Sequence, residues 1–308
     1  MKHNPKIIAI LLLMFIIAQF IGLYVVNSNV FTIEQEVNGT IKQVPNPSLD
    51  WINPRPESVD YDYNTYFISI LMAFVIAITL LFTFTKLNWQ IVLRAWFFLV
   101  VVIALGITLL ALFPSLRQIT VWAFVIALPF AFLKIYKREI ITHNLTELFI
   151  YPGIAAVFVP ILSLLAIIVL LILISIYDMW AVWKSGIMQK MAKYQMTQLK
   201  VFSGFLIPYL SKKQMQQLVK AKKSKSKKKK KISVGMALLG GGDVVFPIIT
   251  AGVVLMALGP IHALFVVAGA TLGLGYLFLR SEKKKFYPAM PFITVGMFIG
   301  LGIAYLLL

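Results

Sequence analysis

The chain has 308 residues, of which 60% are hydrophobic and 13% charged, with a formal net charge of +18. A soluble domain of this length carries more charge and fewer long apolar runs, so the composition excludes a soluble globular protein. The absence of cysteine excludes disulfides, thiol nucleophiles and thiolate metal sites, and the three histidines are too far apart to form a zinc-protease helix motif.

Nine apolar runs approach the roughly 20 residues that one helix needs to cross a bilayer. They predict an all-α polytopic membrane protein with nine transmembrane helices, over residues 7–27, 66–86, 90–113, 118–136, 142–160, 162–183, 232–254, 257–279 and 287–307. Residues 148–177 are almost continuously apolar, and Pro160 with Ser163 is the available break, so a tight turn is expected there.

The predicted helices divide the chain into three parts. Residues 1–183 hold six helices and a polar extracytoplasmic loop at 28–65, residues 184–231 form a linker, and residues 232–308 hold the last three helices. The linker contains an apolar island at 201–210, which is too short to span and is expected to lie on the membrane surface or re-enter it.

The positive charge is concentrated in the linker. Residues 184–231 carry 15 of the 29 basic residues and no acid, which leaves 14 basic against 11 acidic residues elsewhere. Charge confined to one loop of a membrane protein first reports topology, so we expect no nucleic-acid partner. The lysine-rich block from Lys222 to Lys231 is expected to lie near anionic lipid headgroups.

The basic residues outside the linker support one orientation. Those that fall on the same side as the linker are Lys2, Lys6, Lys86, Arg94, Lys134, Lys137, Arg138, Arg280 and Lys283 to Lys285. The positive-inside rule then predicts a cytoplasmic N-terminus, a cytoplasmic linker and an extracytoplasmic C-terminus.

Two acids stand apart from the other nine, which lie in loops or near helix ends. Asp178 and Asp243 lie well inside apolar runs, where an ionisable side chain costs about 2.5–3.5 kcal/mol on insertion scales and indicates a function. No lysine or arginine lies deep enough in a predicted span to be their counter-ion. With a helical rise, Asp178 lies roughly 9 Å before Lys184 and Asp243 roughly 18 Å after Lys231, so the two acids can face each other.

Two adjacent carboxylates cannot both ionise easily, which suits one to take a proton from water and the other to give a proton to a carbonyl. That is the chemistry of an aspartic protease. On the acids alone, a cation or proton transporter or leak channel that uses the same pair is favoured. A lipid-binding or scaffold protein centred on the lysine block is a third hypothesis.

Three motifs accompany the acids and change this weighting. They are Ser175-Ile176-Tyr177-Asp178, Gly240-Gly241-Gly242-Asp243 and Pro288-Ala289-Met290-Pro291, in the sixth, seventh and ninth predicted spans. In type, order and position they resemble the Y-D, G-x-G-D and P-A-L motifs of the presenilin and signal peptide peptidase family of intramembrane aspartyl proteases. The resemblance covers about residues 140–308. Met290 stands where the family has leucine, a change that conserves volume and polarity.

The resemblance implies a presenilin-like fold and an aspartic endopeptidase that cleaves transmembrane-helix proteins or peptides. It implies catalytic roles for Asp178 and Asp243, no cofactor, no metal, and, as in microbial presenilin homologues, no obligatory partner subunit. It also implies substrate-binding or site-shaping roles for Tyr177, Gly240, Gly241, Gly242, Pro288, Ala289, Met290 and Pro291.

Overall fold

The computed structural model describes residues 5–37, 40–52, 89–137, 139–184, 201–209, 235–281 and 287–307, with isolated positions between 68 and 87 and between 186 and 195. Eight long helices of these residues build the molecule: α1 (Pro5–Asn27), α2 (Gln90–Leu112), α3 (Thr120–Phe132), α4 (Ile140–Phe158), α5 (Leu164–Met179), α6 (Gly242–Leu258), α7 (Pro260–Arg280) and α8 (Met290–Leu307). Helices α3 and α5 continue as π-helical turns to Lys137 and Lys184.

Seven of these helices, counted with their π-helical and 3-10 extensions, are long and apolar enough to cross a membrane. The eighth, α6, has 17 residues and is about 25 Å long at a helical rise. The structure therefore confirms a polytopic α-helical membrane protein. The predicted span at 66–86 lies largely outside the described residues, so the count of nine stays a prediction.

The turn between α4 and α5 lies where the sequence places it. Helix α4 ends in a 3-10 turn, Val159–Ile161, which contains Pro160. Ser163 then caps α5, because its hydroxyl accepts a hydrogen bond from the amide of Ala166 at 3.2 Å. The nearly continuous apolar stretch is thus two helices joined by the five residues 159–163.

Two short antiparallel pairs of strands accompany the helices. Strands β1 (Thr32–Val37) and β2 (Thr40–Pro45) pair within the polar loop that follows α1. Strands β3 (Gly204–Tyr209) and β4 (Gly235–Gly240) pair across the linker, with Gly204 opposite Gly240. Residues Gly204–Tyr209 of the apolar island at 201–210 are therefore a strand, and its place on the membrane surface or within the membrane stays a prediction.

The predicted helix at 232–254 is wrong at its start. Residues Gly235–Gly240 are extended, and the helix begins at Gly242. Glycine is a poor helix former, and here the backbone of this segment gains hydrogen bonds from β3 instead. Asp243 consequently lies in the first turn of α6, not the three turns into a helix that a uniform rise from Lys231 predicts.

Close helix packing surrounds the two acid-bearing helices. Gly22 of α1 lies so near α6 that an added Cβ would be 2.2 Å from the side chain of Ile248. Helices α7 and α8 cross at glycines, and an added Cβ at Gly269 would be 2.1 Å from the carbonyl oxygen of Gly296. Small residues allow such approaches in lipid, where van der Waals packing drives helix association.

Candidate active site

Asp178 lies at the last turn of α5 and faces the start of α8. The side chain is buried, and its Oδ2 accepts a hydrogen bond from the backbone amide of Met290 at 3.1 Å. The amide of Ala289 is a second backbone donor to this carboxylate. The first amides of a helix have no partner within the helix and carry its partial positive charge, so they hold an anionic group well.

Asp243 lies at the second residue of α6, directly after the glycine run. It is also buried, it accepts a hydrogen bond from the amide of Gly240, and it interacts electrostatically with Asp178. Asp178 at the end of α5 and Asp243 at the start of α6 are thus near enough to interact electrostatically. Such an arrangement can activate a water molecule if the two carboxyl groups share one proton.

The glycine run folds into a tight connection between β4 and α6. The amide of Gly241 donates to the carbonyl of Ser203 at 3.2 Å, and an added Cβ at Gly241 would lie 2.6 Å from the Ser203 hydroxyl and 2.9 Å from that of Tyr151. A Cβ at Gly242 would meet Phe246 at 3.8 Å, an ordinary contact. Glycine at 241 therefore serves close approach, whereas Gly242 has room around it.

The proline-rich motif contacts Asp178 through its backbone amides. Pro288, Ala289 and Met290 are buried, and α8 begins at Met290 with Pro291 following. Because the amides of Ala289 and Met290 reach Asp178, the Met290 side chain is not what holds the acid. The hydrogen bonds to Asp178 therefore do not depend on whether residue 290 is methionine or leucine.

The Tyr177 side chain lies at the surface of α5, beside Trp180. The Tyr177 side chain is 42% exposed, and its ring lies 6.2 Å from the ring of Trp180 on the same helix. This position matches an aromatic residue at the membrane interface. A role for Tyr177 at the acid pair stays a prediction.

Comparison with known proteins decides the family. The family model described as "Signal-peptide peptidase, presenilin aspartyl protease" matches residues 53–308. The chain belongs to this family. It is an intramembrane aspartyl protease, and its long apolar helices make it an integral multi-pass membrane protein.

Solved structures share the protease's fold. A presenilin family intramembrane aspartate protease in a C222 crystal form matches with a TM-score of 0.59 and 17% identity, over 98% of this chain and 99% of the other. A presenilin family structure in a P2 crystal form matches with a TM-score of 0.59 and 18% identity, over 97% of each chain. A search of curated proteins found no match.

The protease has a third buried acid, which corrects the sequence analysis. Glu147, assigned to a helix end, is 0% exposed on α4 and forms an ion pair with Lys134, whose side chain is also buried. Glu147 lies in the third turn of α4 and Lys134 in the π-helical extension of α3, and the contact between these two helices buries both side chains. Among the residues that the structure describes, a buried lysine pairs with Glu147, and none pairs with either aspartate.

Sequence reasoning also missed two polar contacts beside the acid pair. Gln19 of α1 is buried and donates to the carbonyl of Val244 at 3.2 Å. Ser175 donates to the hydroxyl of Thr294 at 2.9 Å, which links α5 and α8 one turn from Asp178. The sequence could have predicted a buried contact for Gln19, because it is a lone amide side chain in a long apolar run.

The described residues contain no group of three or more histidine, aspartate or glutamate side chains that could hold a metal ion. The arrangement of the two aspartates suits proton transfer to and from a bound water.

Proposed function

We propose that the protease hydrolyses peptide bonds within transmembrane segments with Asp178 and Asp243 as its catalytic dyad. The observation that supports the proposal is a pair of buried carboxyl groups that interact electrostatically, one of which accepts hydrogen bonds from the amides of Ala289 and Met290. Buried acids are costly in a membrane protein, and an acid pair with a shared proton is the machinery that aspartic proteases require.

The chemistry needs only water and the two acids. The ionised aspartate takes a proton from water as the oxygen attacks the scissile carbonyl carbon, and the protonated aspartate gives its proton to the carbonyl oxygen. The tetrahedral diol then collapses when one diol proton passes to the ionised aspartate and the other aspartate gives the proton that it took from water to the leaving nitrogen. The C–N bond breaks, and the dyad again holds a single proton.

The substrate must present an extended peptide bond, because a helix shields its carbonyls and satisfies them internally. Strand β4 offers a template, since it ends at Gly240, three residues before Asp243, and pairs on one edge with β3. Within the described residues no strand covers its other edge. An unwound substrate segment can add there by main-chain hydrogen bonds.

An apolar cavity supports an approach for the substrate from the lipid. It has a volume of about 800 Å³, lies between α5, α7 and α8, and is lined by Met179 and Pro291, the sequence neighbours of Asp178 and Met290. Its walls are largely apolar side chains and helix glycines, which suit a transmembrane segment rather than a soluble peptide.

The test is cleavage of a single-span transmembrane peptide by purified protease in detergent. We expect Asp178→Ala and Asp243→Ala each to abolish cleavage, and a hydroxyethylene transition-state mimic to inhibit the parent protein. Glu139→Gln, at an exposed acid, is the matched control and should cleave normally. Product formation by either aspartate variant would refute the dyad.

A further inference from the structure

We propose that Lys134, His143 and Glu147 form a positioning cluster that holds the linker strand β3 and, through it, the glycine run Gly240–Gly242 that leads into Asp243. The proposal rests on the proposed dyad, because it concerns how one member of that dyad is placed. None of the three residues contacts the aspartates directly in the described structure, so their role is positioning rather than catalysis.

The cluster forms hydrogen bonds with both backbone groups of one linker residue, Gly204. Glu147 Oε1, paired with Lys134, accepts a hydrogen bond from the amide of Gly204 at 3.3 Å. His143 Nε2 lies 2.8 Å from the carbonyl oxygen of Gly204 and is therefore the donor. One residue of β3 is thus fixed to α4 by a carboxylate and an imidazole one helical turn apart.

A second clamp from α4 lies two residues along β3. The Asn144 side chain accepts from the amide of Leu206 at 2.9 Å and donates to its carbonyl at 2.7 Å. The outer edge of β3 is therefore hydrogen-bonded to α4 side chains, and its inner edge is left for β4. Side chains of this kind cover the exposed edge of a strand, and here they also fix the position of β3 relative to α4.

The position of β3 passes directly to Asp243. Gly204 pairs with Gly240, and the carbonyl of Ser203 accepts from the amide of Gly241. Gly204 has φ +139°, and an added Cβ would lie 2.2 Å from the carbonyl oxygen of Leu239, so the two strands meet here without room for a side chain. Movement of Gly204 must therefore move the loop before Asp243.

Stabilisation of the fold does not by itself account for the burial of the Lys134–Glu147 ion pair. Desolvation commonly offsets the attraction within a buried pair, and hydrophobic replacements are often neutral. Placement matters more, because catalytic groups must be held within about 0.5 Å of their productive geometry and a 1 Å misplacement can cost about 100-fold in rate. The cluster supplies directional hydrogen bonds to one backbone position, which a hydrophobic pair cannot do.

Two double variants separate positioning from charge pairing. Lys134→Met with Glu147→Gln removes both charges but keeps a side-chain oxygen for the Gly204 amide. Lys134→Met with Glu147→Met removes both charges and that oxygen. We expect the first to keep kcat within about threefold of the parent and the second to lose about tenfold or more, with KM for the transmembrane peptide unchanged.

The matched control is Lys137→Met with Glu139→Gln, at exposed residues on the same two segments, and it should behave as the parent. Thermal unfolding is measured for every variant. Equal kcat values in the two double variants of the cluster would overturn the proposal.

A second pair of variants leaves the Lys134–Glu147 ion pair intact, so it tests the proposal even where Lys134→Met with Glu147→Met does not fold. His143→Gln keeps a donor for the Gly204 carbonyl, whereas His143→Leu removes it, so kcat should fall in the second alone. Equal kcat in these two variants also counts against the proposal. Asp178→Ala and Asp243→Ala are assayed in parallel. Cleavage by either aspartate variant would refute the dyad, whereas inactive aspartate variants together with equal kcat values in the cluster variants would refute only the positioning role.

Discussion

Single residues at the aspartates act largely through backbone groups. Asp178 is held by amides of Ala289 and Met290, and the loop before Asp243 depends on the amide of Gly241. Amides at a helix start are rigid donors with no competing partner, so they position a carboxylate without the rotamer freedom of a side chain. The side chain at position 290 is therefore less constrained than its amide.

A set of three substitutions at Met290 tests this point. Met290→Leu and Met290→Ala both keep the amide that donates to Asp178, and Met290→Pro removes it at a helix position that tolerates proline. We expect Met290→Leu to retain cleavage within about twofold, since the swap conserves volume. Met290→Pro should lose about tenfold or more, because a hydrogen bond to a charged group contributes about 1.5–3 kcal/mol.

Met290→Ala is the control for lost side-chain volume, and cleavage of the transmembrane peptide is the measurement. Equal activity of Met290→Ala and Met290→Pro would contradict a role for the amide.

At the scale of elements, the crossing of α7 and α8 carries the motif that holds Asp178. Gly269 and Gly273 of α7 face Gly296 and the backbone of Phe292 on α8, at distances that leave no space for a Cβ. The crossing thus fixes where α8 begins and where its first amides point. Helix α5 adds the hydrogen bond between Ser175 and Thr294 to the same assembly.

Gly269→Ala should separate these two helices. The new Cβ would meet the backbone oxygen of Gly296 at 2.1 Å, which neither helix can relieve by a rotamer change. Overpacking of this kind destabilises by about 1–3 kcal/mol, so thermal unfolding in detergent should shift downward and cleavage should fall.

Gly302→Ala is the matched control, because Gly302 lies on α8 with nothing within 4 Å of an added Cβ. It should unfold at the parent's temperature or slightly above, since alanine favours a helix over glycine. An identical unfolding temperature for Gly269→Ala and Gly302→Ala would contradict the packing argument.

At the scale of the whole molecule, orientation follows from the charged segments. We propose that the N-terminus and the basic linker are cytoplasmic and the C-terminus is extracytoplasmic, because 15 of 29 basic residues lie in the linker. The β1–β2 hairpin and the linker then lie on opposite sides of the membrane. With this orientation, β4 leads from the cytoplasmic side to Asp243.

The absence of cysteine makes the orientation directly measurable. Gln35→Cys places a single thiol on the β1–β2 hairpin, and Ser224→Cys places one in the linker. A membrane-impermeant maleimide should label Gln35→Cys on intact cells and Ser224→Cys only after the membrane is opened. The cysteine-free parent is the background control, and the reverse labelling pattern would refute the orientation.

The sequence by itself determined the membrane class, the boundaries of most helices and the two aspartates to examine. These are local properties: apolar run length sets a helix that crosses lipid, and proline and serine set the turn near residue 160. The three motifs also pointed to the family that the comparison shows.

Only the tertiary structure decided how the glycine segment and the buried charges are used. Residues Gly235–Gly240 read as helix in a hydropathy profile, yet they form a strand because β3, some 30 residues earlier in the chain, supplies the pairing edge. Glu147 and Lys134 read as helix-end charges, yet they are buried because α3 and α4 pack together and bring them into contact. Both outcomes depend on partners distant along the chain, which no local pattern of hydropathy encodes.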